Sequence, residues 1–125
     1  RMSKVALLGA RLTMTEPHVR GRLESRGINL VAIDQSWIAE VDRIIFQELA
    51  RGQVIRDSQR KLKTLITEFS KQKVQAVVLA CTELVLAVDT RANVLPVYDT
   101  TALHARSAVD WMLAEEVKAE AKAAA

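Results

Sequence analysis

At 125 residues the chain is long enough for one hydrophobic core and too short for a second domain of ordinary size. Half of its residues are hydrophobic and 26% are charged, the balance of a folded globular protein and not of a disordered tail. The net charge of +3 is spread along the chain with acids interleaved among Lys and Arg, which argues against a nucleic-acid partner, and the apolar run from Val74 to Leu79 falls far short of the roughly 20 residues that span a bilayer.

A single cysteine excludes an internal disulfide and a cysteine-cluster zinc site, and it favours a reducing, cytoplasmic setting. No long apolar stretch opens the chain as a secretory signal would. The Arg that precedes Met2 is the expected mark of a processed, tagged or excised chain.

Lys4 to Gly9 is a short apolar run ending in Gly, the pattern of a buried parallel strand. Thr15, Glu16 and Pro17 then offer a cap, a first-turn acid and an N-terminal proline for a helix expected to run to about Arg26, where Gly27 stops it. Ile28 to Ile33 is β-branched and reads as a second strand.

The period then changes. Ile38, Val41, Ile44, Ile45 and Leu49 line one face of a helix ending near Gly52. From Asp57 or Ser58 a further helix carries Leu62, Leu65, Ile66 and Phe69 at the same spacing.

Ala76 to Ala80 predicts a central strand whose carboxyl end delivers Cys81, Thr82 and Glu83. A short helix over Leu84 to Val88 and a last strand over Val94 to Val97 follow, with Pro96 at its edge. Asp99, Thr100 and Thr101 cap a final helix, with Ala105, Ala108, Val109, Met112 and Leu113 as its expected buried face. The alternation predicts a three-layer α/β sandwich, a small and mainly parallel sheet with helices on both faces. Residues 1–113 form the expected domain, and 114–125 an alanine-rich helical extension or tail.

Ligands in such sheets bind outside the carboxyl ends of the strands. Three segments should open there: Gly9 to Thr13, Ala80 to Glu83 and Tyr98 to Thr101. Cys81 reads either as a small buried hydrophobe or as a thiol whose ionised form a following helix favours, able to take a proton. Thr13 and Thr82 are ordinary turn residues or hydroxyl donors, and Glu83 is a first-turn acid or a site carboxylate. Asp99 reads as a cap and His104 as a locally packed helix histidine. Arg51 either complements a helix end or reaches a substrate carboxylate. The basic residues from Arg56 to Lys73 share a helix with an apolar stripe and read as its solvated face.

Four blocks, Val5 to Met14, Arg43 to Leu49, Ala80 to Leu84 and Leu95 to Thr101, resemble in order and spacing the second half of aspartate/glutamate racemases. The resemblance covers roughly residues 4–113. It implies one half of a two-domain fold in which two similar α/β halves each give a cysteine to the cleft between them, with neither pyridoxal phosphate nor metal. By matching position, Cys81 would be one of the two thiol acid/base groups, Thr13 and Thr82 would donate to the substrate carboxylate, Glu83 would orient or balance the ammonium group, and Arg51 would contact an acidic side chain. Ala10 and Ala80 depart from the threonine and glycine usual at those places. The implied substrate is a small acidic amino acid, and the opposing thiol must come from the missing N-terminal half or a second copy of the chain. A non-catalytic binding or structural half-domain is the alternative.

Overall fold

The computed structural model describes residues 3–124, so the reading of Arg1 and Met2 and the last residue of the tail lie outside the described residues. Its frame is a parallel sheet in the order β2-β1-β3-β4, built from β1 (Lys4–Leu8), β2 (Asn29–Leu30), β3 (Ala76–Leu79) and β4 (Val97–Asp99). Successive side chains of a strand point to opposite faces, and both faces of a wholly parallel sheet need cover. Accordingly Ala6 and Leu8 of β1 and Val77 and Leu79 of β3 enter one apolar cluster, while Val5, Leu7 and Ala76 enter a second on the reverse face.

The first cluster is the larger. It is closed by α3 (Gln35–Arg43) and α4 (Arg56–Lys71), whose Ile38, Val41, Leu62, Leu65, Ile66 and Phe69 are buried at the predicted helical spacing. Full burial of each such side chain contributes about 1.5–3 kcal/mol. The reverse face is covered only in part, by Val19 and Leu23 of α2 (Pro17–Glu24) and by Ile28.

Several boundaries differ from expectation for local reasons. A short helix that was not expected, α1 (Arg11–Thr15), precedes the expected one, α2 (Pro17–Glu24), whose N-cap is Glu16 instead of Thr15 and which keeps Pro17 in its first turn; the two stay separate because proline supplies no N–H to continue the preceding helix. β2 holds only two residues, since β1 is its sole partner and the pairing stops at Leu30. Beyond α3 the helix widens into a π turn over Ile44–Glu48 and tightens into a 3-10 turn over Leu49–Arg51. Gly52 ends it with a φ of 76°, a left-handed conformation that favours glycine. α4 starts at Arg56 without a side-chain cap, and Ser58 is buried and donates to Glu48 instead. The expected helix over Leu84 to Val88 is a 3-10 turn, Leu84–Leu86, and the last strand is Val97–Asp99, one step past Pro96.

The largest departure is α5 (Thr100–Ala124). Its cap is as expected, with Asp99 Oδ1 accepting from the Thr101 amide at 2.9 Å. Its predicted buried face is not buried: Ala105, Ala108, Val109, Met112 and Leu113 are all exposed, because α5 leaves the sheet after its first turn. It continues unbroken through residue 113. Among the described residues no helix is long and apolar enough to cross a membrane.

Candidate active site

The ladder pairs Leu8 with Leu79 and Leu79 with Asp99, so the chain emerges from three adjacent strands at one level of the carboxyl edge. Gly9 follows β1, Ala80 and Cys81 follow β3, and Thr100 follows β4. The Ala80 amide donates to Leu8 O at 2.7 Å and the Thr100 hydroxyl to Leu79 O at 2.8 Å, so both neighbouring strands fix the peptide that presents Cys81.

Gly9 lets Thr13 approach. A Cβ on Gly9 would stand 3.0 Å from Ala80 O and 3.1 Å from Thr13 Cγ2, so the glycine is required by close contact and Thr13 lies over the strand ends beside Ala80. α1 is anchored from afar: the Arg11 amide donates to Asp42 Oδ1 at 2.7 Å. No local signal marks this role for Asp42, because cap and helix are 31 positions apart.

Cys81 is half-buried, and its thiol donates to Glu83 Oε2 at 3.1 Å. Desolvation pushes the thiol's pKa above its ordinary value, and the hydrogen bond to the Glu83 carboxylate pushes it further. The amides of Glu83 and Leu84 act in the opposite direction and are outweighed. The expected ionisation by a helix dipole therefore does not arise: three residues of 3-10 turn supply a pair of amides and no macrodipole. The pKa of Glu83 is shifted below its ordinary value, first by a hydrogen bond with the Thr82 side chain and then by that from Cys81. The result is a protonated thiol held against an ionised carboxylate.

Of the predicted site residues, Cys81, Thr82 and Glu83 form one hydrogen-bonded group, and Thr13 stands at the same edge. Arg51 does not join them. It is exposed at the end of its 3-10 turn and shares no hydrogen bond or ion pair with the group. His104 is exposed on α5, not packed locally, because that helix has left the sheet.

The family model of Asp/Glu/hydantoin racemase matches residues 1–108. The chain belongs to this family. Among solved structures it is similar to a putative Asp/Glu racemase from Yersinia pestis, with 38% identity and a TM-score of 0.84 over 90% of this chain and 49% of that one. It is similar also to PH1733, an aspartate racemase homologue from Pyrococcus horikoshii OT3, with 32% identity and a TM-score of 0.81 over 88% of this chain and 48% of the other. This racemase-family chain thus spans about half the length of the solved relatives it matches.

Proposed function

We propose that residues 1–113 are the C-terminal half of an aspartate/glutamate-type racemase that works without a cofactor, with Cys81 as one of two thiol acid/base groups. The observation that carries this reading is the thiol of Cys81 at the carboxyl end of β3, donating to Glu83 on the edge where Thr13 also stands. A protonated thiol suits the donor's part. A thiolate opposite takes the α-proton from one face of the amino acid, breaking the C–H bond and forming S–H. Cys81 gives its proton to the other face and becomes the thiolate, so the centre is inverted and the two sulfurs exchange roles.

The carbanion between these transfers needs electrostatic support. Thr13 and Thr82 would donate to the substrate carboxylate, and Glu83, ionised, would hold the ammonium group. Arg51 would serve an acidic side chain only after reorienting. The second thiol would come from the missing N-terminal half or from another copy of the chain, since Cys81 is the one cysteine in the sequence. The raised thiol pKa favours a second reading, a half-domain that binds or scaffolds without turnover.

Loss of the α-proton signal of L-aspartate and L-glutamate in heavy water, followed at several protein concentrations beside a Cys81→Ala control, separates the two readings. Exchange that vanishes in the control supports Cys81 as a working acid/base group. Exchange that persists in the control removes Cys81 from the chemistry, and none at any concentration removes the reading that this chain alone is an enzyme.

A further inference from the structure

α1 is too short to place itself. Its five residues close little more than one turn, and isolated helices below about 12 residues are marginal in water. Its N-cap, Ala10, has the extended backbone of a cap, φ −61° and ψ 159°, but no side-chain acceptor for the orphan amides of the first turn. Yet α1 is the element that carries Thr13 to the strand ends beside Ala80, the residue before Cys81.

The turn is held from outside. The buried Met14 side chain joins the larger core cluster, and Arg20 Nη1 donates to Met14 O at 3.2 Å. Apolar burial is non-directional, so it sets which face of α1 looks inward and not where the helix begins. The beginning is set by Asp42 of α3, whose Oδ1 accepts from the Arg11 amide at 2.7 Å, within the range of a charge-assisted bond. This carboxylate is half-buried and makes no ion pair among the described residues, whereas its helix neighbours Glu40 and Arg43 pair with each other. Ile38 and Val41 lock α3 into the core, so Asp42 offers α1 a fixed point.

We propose that Asp42 is a positioning residue of the candidate site: by accepting from the first amide of α1 it sets Thr13 at the strand ends, in place of the local cap that Ala10 does not provide. That Thr13 then meets a substrate carboxylate rests on the racemase reading; where Thr13 stands does not. The bond needs an oxygen acceptor at position 42, which Asn supplies and Ala does not. A serine at position 10 would cap the amide of Leu12 or Thr13 from within α1 and make Asp42 dispensable for the position of the turn.

Amide hydrogen exchange and nuclear Overhauser contacts on the full chain test this without turnover. The amides to follow are Arg11, bonded to Asp42, and Met14, bonded to Ala10 O at 3.1 Å. Asp42→Ala places a good helix former at a half-buried position of α3 and should keep the fold. It should speed exchange at both amides about ten-fold and weaken the contact between the Thr13 methyl and the Gly9 α-protons, with native rates kept in β1, β3 and α4. Asp42→Asn should stay near native. Ala10→Ser added to Asp42→Ala should restore Met14 and the Thr13 contact but not Arg11, whose acceptor is gone. Where the chain exchanges the α-proton of L-aspartate, Asp42→Ala should raise KM about ten-fold, and combined with Thr13→Val it should raise KM no further than Thr13→Val alone. A chain without turnover removes the reading that it is an enzyme alone and leaves the amide and Overhauser readouts to decide the part of Asp42. The proposal is overturned by α1 amides or a Thr13 contact indifferent to Asp42→Ala, by loosening that spreads through the sheet, by an Asp42→Asn variant as loose as Asp42→Ala, by no rescue from Ala10→Ser, or by KM effects that add.

Discussion

Cys81 and Glu83 sit two residues apart on the turn after β3, with Sγ 3.1 Å from Oε2. The turn that presents them contains no helix of useful length, so the local charge on the thiol is decided by burial and by its carboxylate neighbour. Both oppose ionisation.

Glu83→Gln is therefore expected to lower the pKa of Cys81 while leaving the desolvation contribution in place. Thiolate absorbance or alkylation rate against pH reads this without ambiguity, as the sequence holds one cysteine. A thiol pKa that stays or climbs in the variant would contradict the hydrogen-bonded pair.

How much of this was legible in the sequence divides by range. β1, β3 and the stripes of α3 and α4 follow from periodicity, because their partners are supplied by the same chain and hydrophobic spacing reports a buried face directly. The stripe of α5 has the same spacing and is exposed, since spacing declares that a face wants cover and not which molecule supplies it. Cys81, Thr82 and Glu83 were legible as a strand-end cluster. The direction of the thiol shift was not, because it rests first on how far Cys81 is buried and then on its hydrogen bond to Glu83, both set by the fold. Asp42 capping α1 and Ser58 reaching Glu48 are tertiary contacts with no local signature.

Gly9→Ala tests the close approach at the strand ends. Its methyl would meet a backbone oxygen at 3.0 Å and the Thr13 side chain at 3.1 Å, so strand or helix must shift. A loss of about 1–3 kcal/mol, the usual cost of overpacking, is expected in urea unfolding. An unchanged midpoint would mean that Thr13 is not held against the strand end.

Thr13→Val keeps most of that packing and removes the hydroxyl. Under the racemase reading the loss of one carboxylate hydrogen bond should raise KM for the amino acid about ten-fold, about 1.4 kcal/mol. Equal KM values for variant and native protein would assign Thr13 to packing alone.

Ser58→Ala addresses the polar group buried beneath α4. Glu48, 5% exposed, accepts from Ser58 Oγ on one oxygen and from Arg43 Nη1 at 2.7 Å on the other. Removing the hydroxyl leaves a buried carboxylate oxygen without its donor, at a cost of about 1–3 kcal/mol. A urea midpoint within error of the native chain would show that water replaces the serine freely.

Glu40 extends the same network outward and gives it a pH dependence. Its carboxyl receives Nε and Nη2 of Arg43 at 3.0 and 2.7 Å and Nζ of Lys61 at 3.1 Å. The Arg43 hydrogen bonds lead in holding its pKa down from 4.5 to about 2, against partial desolvation and with Lys61 adding to them. A carboxyl depressed on folding contributes stability that is complete above the unfolded value and is lost as pH falls through the folded one. The Tm difference between the native chain and Glu40→Gln should thus be full above about pH 4.5 and shrink toward zero near pH 2. A difference that holds constant across that window would mean that the ion pair is screened by solvent and contributes nothing that titrates.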